Sequence, residues 1–291
     1  MRSYLQLARP ANIVTAWADV LAGFAVTGGL AAVHIQAETL GWLLLSTTGL
    51  YAGGVAFNDV FDANLDAVER PERPIPAGRV TRQNAAIFAG SLLLGGIAAA
   101  FAASPAAGLL ALAIAAAALV YDAYGKHHAL LGPINMGLCR GGNLLLGMGA
   151  APLMIVHHWP LALLPIVYIA AITAISRGEV TGGSKRVGYL AVGLVVLVIL
   201  ALGYIGFDAV AVEPVSGLFP FIFTGLVLPA FLRAAKQPTA ETIQRAVRTG
   251  IMGLIVLNAA IAALYAGPTA GLAILSLLPV SVLLARLFAV T

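Results

Sequence analysis

Apolar positions run along this chain in blocks of about twenty, and the charged positions fall almost wholly between the blocks. Within a block there is neither strict alternation nor a one-sided stripe, which is the pattern of helices surrounded by apolar material on most sides. The blocks predict spans at about 12–33, 39–57, 84–103, 105–121, 131–155, 159–176, 187–207, 214–233, 249–266 and 269–289. A backbone crossing hydrocarbon must satisfy its own hydrogen bonds, so each span is a helix. The expectation is an all-α integral membrane protein, a polytopic bundle forming a single transmembrane helical domain over residues 1–291. Small-residue spacings such as Gly49 with Gly53 and Gly137 with Gly141 suit close helix packing in lipid. Residues 239–248 (TAETIQRAVR) read as a short amphipathic helix on the membrane surface, leading into the ninth span.

Composition sharpens this picture. The chain is 60% hydrophobic and 10% charged, with mean hydropathy +0.96, which excludes an ordinary soluble domain of 291 residues. The few basic residues are placed asymmetrically. Arg2 and Arg9, then Arg70, Arg73, Arg79 and Arg82, Lys126, Arg177, Lys185 and Arg186, and Arg233, Lys236, Arg245 and Arg248 all fall in alternate connections. The other connections, around 34–38, 104–105, 157–160, 208–213 and 267–268, hold no Lys or Arg. The positive-inside rule then predicts a multi-pass protein of the inner (cell) membrane with a cytoplasmic N-terminus. It also accounts for the net charge of +4 without a nucleic-acid partner; the expected surroundings are the lipid bilayer. The first apolar block is long and contains Asp19, so it reads as a retained span rather than a cleaved signal. The lone cysteine, Cys139, sits within an apolar block, and no disulfide framework is expected.

One polar stretch breaks the pattern, NDVFDANLDAVERPERPIPAGR over 58–79. On a continuous helix Asp59, Asp62 and Asp66 fall within roughly 60° of arc and about 10 Å of rise. Carboxylates that close repel one another. A hard divalent cation removes the repulsion, and Mg²⁺ is commonly held by one or two carboxylates together with substrate phosphate oxygens. Pro71 predicts the helix end at Arg70. Pro74 and Pro76 then hold an extended loop that presents Arg73 and Arg79 near the acidic face. Carboxylates for a metal beside guanidiniums for phosphate suit a diphosphate ester. The bland alternative is a charged loop whose acids and bases pair in water.

The same stretch resembles the first aspartate-rich signature of the UbiA superfamily of intramembrane prenyltransferases, N-D-x-x-D-x-x-x-D followed by R-P-x-x-R-P-I-x-x-G. The matching residues are Asn58, Asp59, Asp62, Asp66, Arg70, Pro71, Arg73, Pro74, Ile75 and Gly78. The resemblance implies a UbiA-like bundle of nine transmembrane helices, against the ten read above, with a metal–diphosphate site at the cytoplasmic mouth of a helical cavity. It implies a Mg²⁺-dependent transferase moving a prenyl group from an isoprenoid diphosphate to an acceptor, aromatic or otherwise, that the sequence does not name. Asp59, Asp62 and Asp66 would bind Mg²⁺ and carry the catalysis, with Asn58, Arg70 and Arg73 on the substrate. The family's second aspartate-rich motif, D-x-x-G-D-x-x-x-G, falls on ISRGEVTGGSKRVG. Aligned on Gly178, its first Asp becomes Ile175 and its second becomes Glu179, which leaves Glu179 as the metal ligand there and Arg177 as a phosphate contact. That altered second motif is similar to an outlying branch, the EboC-like proteins.

Three further constellations carry chemistry. In YDAYGKHH, Lys126 is a point charge for diphosphate, and either Tyr121 or Tyr124 offers an electron-rich face to a developing allylic cation. The alternative is an interfacial Tyr/Lys anchor. Arg140 lies several residues inside an apolar block with Asn143 one turn on, and an intramembrane arginine marks a functional site by default. It also has a structural reading as an ion pair with Asp19. Asn12, Thr15 and Asp19 follow i, i+3, i+7 and form an inward polar stripe; Asn12 and Asp19 join Arg140 and Asn143 as candidate substrate-binding residues. The paired histidines, His127 with His128 and His157 with His158, lack metal-ligand spacing and read as interfacial. Two rival functions remain at this level. A transporter would gather its polar groups near the bilayer midplane, whereas most acids here gather at one mouth. A non-catalytic prenyl-lipid binder would tolerate the altered second motif but has no use for an intact first one.

Overall fold

The computed structural model describes residues 2–30, 33–128 and 130–287, with side chains for all of these except 33–35, 127 and 208–212. The predicted outer connections at 34–38 and 208–213, the end of the last predicted span and the His127 ring therefore lie partly or wholly outside the described residues.

Among the described residues there is no strand. The helices are α1 (Arg2–Ala8), α2 (Pro10–Val26), α3 (Val33–Phe61), α4 (Ala63–Glu69), α5 (Arg82–Ala103), α6 (Pro105–Ala123), α7 (Leu131–Gly147), α8 (Pro152–His158), α9 (Leu163–Ser176), α10 (Lys185–Val212), α11 (Leu218–Lys236), α12 (Ala240–Ala266), α13 (Pro268–Leu275) and α14 (Leu277–Leu287). Local sequence sets many of the ends. Proline opens α2, α6, α8 and α13, where its missing N–H costs nothing. The hydroxyls of Thr81, Ser104 and Thr239 cap α5, α6 and α12 by accepting the backbone N–H of Asn84, Ala107 and Thr242.

Eight helical stretches among the described residues are long and apolar enough to cross a membrane. Together with α2, apolar but of 17 residues, and α7, which carries Arg140, they occupy the places of the ten predicted spans. Two boundaries differ from expectation. The fifth predicted span, 131–155, stops at Gly147; a turn follows, and Pro152 starts the next crossing, Pro152–Ser176. The expected surface helix at 239–248 is the first part of α12, which runs unbroken for 27 residues.

Packing places the interior. α12 is the most buried of the eight crossings and packs on α2, α9, α10, α11 and α13. The helices α2, α7, α9 and α12 pack in a ring, and α2, α3, α6 and α7 form a second ring sharing two members with it. Glycines allow the close approaches. A Cβ on Gly49 of α3 would lie 2.5 Å from the Leu92 carbonyl oxygen of α5, and one on Gly137 of α7 would lie 2.6 Å from that of Ile166 in α9. No real side chain accepts such distances, so the predicted packing roles of these glycines hold.

Candidate active site

The polar stretch after α3 is not one helix. α3 ends at Phe61, Asp62 sits at a bend, and α4 restarts at Ala63. The helix bends at Asp62, and the three aspartates do not all meet the same cation. Asp59 and Asp66 meet at one guanidinium, with Arg73 Nη1 donating to Asp59 Oδ1 at 3.2 Å and to Asp66 Oδ2 at 2.8 Å. Arg9 Nη2 donates to the same Asp59 oxygen at 2.7 Å. Asp62 instead receives Lys126 Nζ at 2.5 Å. Asp59 and Asp66 are each 4% exposed, and buried carboxylates are tolerated where cations such as these pair with them.

α4 ends at Glu69, as Pro71 predicts, and the loop beyond it folds back. Arg73 reaches the acidic face. Arg79 does not: it is exposed, and its guanidinium donates to the Glu72 carbonyl.

Above these residues opens a chamber of about 420 Å³. Arg9, Asn58, Asp62, Asp66, Arg70, Arg73 and Glu179 line its polar part, and Ile169, Ile172, Val247, Ile251 and Leu254 line an apolar wall on α9 and α12. A side cavity of about 270 Å³ runs between α3, α6 and α7, bounded by Leu50, Ile114, Ala118 and Met136 with Asp122, Arg140 and Asn143 as its polar members. Arg9, Tyr51, Asn58, Tyr121, Met136 and Arg140 border both spaces.

The remaining candidates sort by position. Tyr121 lines both spaces, whereas Tyr124 caps the end of α6 and is 78% exposed, so of the two it is Tyr121 that faces the chamber. Arg177 is corrected: it is exposed outside the chamber, and its Nη2 donates to the His128 carbonyl at 2.8 Å, tying the end of α9 to the loop after α6. Glu179 does face the chamber. Burial raises its carboxyl above the ordinary value, with Arg70 and Arg248 pulling against that shift. Ile175, in the place of the second motif's first acid, is buried in the core.

At the depth of the spans lies a polar knot. Arg140 Nη2 donates to the Thr15 carbonyl and hydroxyl at 3.1 and 3.0 Å, and its Nε stands 3.1 Å from Asp19 Oδ2 as a charge contact rather than an aligned hydrogen bond. Its Cζ lies 5.7 Å from the centre of the Tyr51 ring. Asn143 Nδ2 donates to Asp19 Oδ2 and the Ala16 carbonyl, while its oxygen accepts from Thr47. Asn258 of α12 donates to Asp19 Oδ1 at 2.6 Å. The sequence-predicted pair is thus present, and four helices contribute to it. Asn12 lines the chamber beside it.

Sequence reading missed several members of this site. Arg9 was counted only as a topological charge, yet it touches Asp59. Asp122, which accepts from Asn58 Nδ2 at 2.8 Å, is the next residue to the highlighted Tyr121. Tyr51, Thr47 and Asn258 sit inside apolar blocks; Asn258, like Arg140, is a polar residue at depth and carried the same signal.

The donor set fits a hard cation. One cationic nitrogen already stands between an Asp59 and an Asp66 oxygen, and all the donors are carboxylate oxygens. Among the described residues no three Asp, Glu, His or Cys side chains converge as a complete cage. Mg²⁺ commonly completes its shell with water and substrate phosphate.

Residues 15–242 match the UbiA prenyltransferase family. The chain is 31% identical over 237 residues to a digeranylgeranylglyceryl phosphate synthase of Methanothrix thermoacetophila, covering 74% of this chain and 85% of that one. It is 30% identical over 194 residues to one of Ignicoccus hospitalis, covering 65% and 60%. Among solved structures, a digeranylgeranylglyceryl phosphate synthase superposes with TM-score 0.66 at 20% identity, over 91% of this chain and 98% of that one. A UbiA homologue from Archaeoglobus fulgidus bound to DMAPP and Mg²⁺ gives 0.63 at 18% identity, over 94% and 99%. With its aspartate signature, its helical bundle and these relatives in agreement, the chain belongs to the UbiA prenyltransferase family.

Proposed function

We propose that this protein transfers a prenyl group from an isoprenoid diphosphate to an acceptor, with Mg²⁺, at the chamber bounded by α3, α4, α9 and α12. The observation that carries this reading is the juxtaposition in one chamber of Asp62 and Asp66, with Asp59 joined to Asp66 through Arg73, and a largely apolar wall on α9 and α12. Hydrocarbon fits that wall, and an anionic head fits the cations at the mouth. Asp59, Asp62 and Asp66 would hold Mg²⁺, with Glu179 across the chamber as a further carboxylate. When bound, the ion supplies positive charge to the departing diphosphate. Arg73, Arg70 and Lys126 orient the diphosphate and stabilise its charge as the allylic C–O bond breaks. Tyr121 presents an aromatic face to the carbon that becomes electron-poor. The apolar wall keeps water from that carbon, so the acceptor reaches it first. Asn58 acts at one remove, through Asp122, and Arg140 and Asn143 hold the chamber floor.

The relatives' name denotes a glyceryl phosphate carrying two geranylgeranyl groups, so a glyceryl phosphate carrying one is the first acceptor to try. Ile175 in the second loop supports an outlying branch, that of the EboC-like proteins, apart from members with two full motifs. The N-terminus and the chamber mouth face the cytoplasm of a multi-pass inner-membrane protein; the clustering of Lys and Arg on that side supports this.

Purified protein incubated with geranyl diphosphate should release diphosphate only when Mg²⁺ is present, and should prenylate geranylgeranylglyceryl phosphate or a competing phenol. If isoprenoid diphosphates from dimethylallyl to geranylgeranyl neither bind nor turn over, the reading fails.

A further inference from the structure

Arg9 is the one non-glycine residue with positive φ among the described residues, at φ 47° and ψ 68°. The left-handed region brings an L side chain too close to its own carbonyl, and a following proline, here Pro10, narrows the choice further. A glycine would make this turn without strain. The chain places arginine there, and the packing on both sides fixes the conformation: Leu7 of α1 is fully buried against Val60, Val80 and Ala85, Tyr4 meets the Phe88 ring edge-on at 5.1 Å, and α2 begins at once with Pro10. Strain of this kind persists where the surroundings over-determine it, and it collects at ligand sites. The turn aims the Arg9 guanidinium at Asp59 Oδ1 and onto the border of both the chamber and the side cavity.

Asp59 Oδ1 thereby accepts from two guanidiniums, Arg9 at 2.7 Å and Arg73 at 3.2 Å. The two are not equivalent. Arg73 also holds Asp66, so it stays at the acidic face whichever way Asp59 turns. Among the described residues, Asp59 is the one carboxylate that Arg9 pairs with. A divalent cation on Asp59 would compete with Arg9 for one oxygen. A diphosphate in the chamber offers Arg9 another anion within reach of the same turn.

We propose that Arg9 is a diphosphate-binding residue that competes with Mg²⁺ for Asp59 when no diphosphate is present and passes to the diphosphate when one is. This rests on the prenyl-transfer reading. It makes metal and diphosphate binding mutually reinforcing, because each relieves a charge that the other would leave unpaired.

The test is the affinity of the purified full chain for Mg²⁺ alone, for geranyl diphosphate, and for Mg²⁺ with geranyl diphosphate, measured by titration calorimetry on Arg9→Gly, Arg9→Ala and Arg9→Lys. Gly keeps the turn without strain and guards against a variant that fails to fold. For Gly and Ala the expected result is a split in sign. Mg²⁺ alone binds more tightly than to the parent chain, while geranyl diphosphate binds about tenfold or more weakly. Arg9→Lys restores part of the diphosphate affinity. A merely structural role would lower both affinities together in Ala and spare both in Gly, and either pattern overturns the proposal. If the parent chain itself fails to bind geranyl diphosphate, the prenyl-transfer reading falls first; if the parent binds and the split is missing, only the role of Arg9 falls.

Discussion

Lys126 and Asp62 lie 64 residues apart in sequence and meet in one ion pair at the chamber mouth, both side chains mostly buried. Asp62→Asn keeps the size of the side chain and removes its charge, so a cation loses one ligand and Lys126 loses its counter-charge. Diphosphate-dependent Mg²⁺ binding and turnover should fall about 100-fold or more, read by calorimetry and by diphosphate release; an Asn variant at the parent rate would refute the assigned role. Glu179→Gln should cost less, because the second loop already has Ile175 in place of an acid. Deeper in the bundle, Arg140 and Asp19 are 5% and 0% exposed. Arg140→Met strands the Asp19 carboxylate with only amide donors and should destabilise the protein by about 3–5 kcal/mol. Adding Asp19→Asn removes the stranded charge and should recover a good part of the loss. Thermal unfolding in detergent compares the three variants, and additive effects in the double variant would mean that the two side chains do not act as a pair.

Helix pairs carry their own test. α3 and α5 touch backbone to backbone around Gly49 and Gly96, where a Cβ on Gly49 would fall 2.5 Å from a carbonyl of the partner. Gly95, one residue along α5, has open space around its Cβ position. Gly49→Ala should therefore cost about 1–3 kcal/mol by overpacking, while Gly95→Ala should be neutral or stabilising, since alanine is the better helix former. Equal effects would mean that the two helices are not in contact at Gly49. At this scale sequence reading reached the helices and their packing glycines, because twenty-residue apolar blocks and small-residue spacing are local signals. It did not reach the bend at Asp62. Nothing in VFDANLD breaks a helix by propensity; Asp62 at the bend pairs with Lys126, and no local window contains both residues. The merging of 239–248 into α12 was hidden in the same way, since an amphipathic turn and the first turns of a longer helix share one pattern. The directions of Tyr124 and Arg177 were not legible, because a residue's direction at a helix end depends on the exit path of the chain, which the spacing of the motif does not encode.

The same limit appears across the whole molecule in the partners of the aspartates. The three carboxylates were legible as a motif, and so was the inward stripe from Asn12 to Asp19. Their counter-charges were legible only where they lay nearby, as with Arg73. Arg9 is 50 residues from Asp59 and looked like one more inside-facing charge. That topological reading nevertheless makes a prediction of its own. α1, the loop carrying Arg73, the loop carrying Lys126 and the turn before α10 converge around one chamber mouth, so all must share one side of the membrane. Every Lys and Arg in the connections falls on that side, and the opposite connections hold none. A reversed insertion would carry all these charges across the bilayer, against the bias that sets orientation. Cysteines placed singly at Ala77, exposed in the mouth loop, and at Val215, 53% exposed in the turn before α11, report the two sides. The native Cys139 is partly buried within α7 and serves as its own control in the parent chain. A membrane-impermeant maleimide applied to intact cells should label the Val215→Cys protein and leave Ala77→Cys unlabelled until the membrane is opened. Labelling of Ala77→Cys in intact cells would put the chamber mouth on the outer side. The diphosphate would then have to be supplied from outside the cell, and the proposed inward-facing site would be wrong even with its chemistry intact.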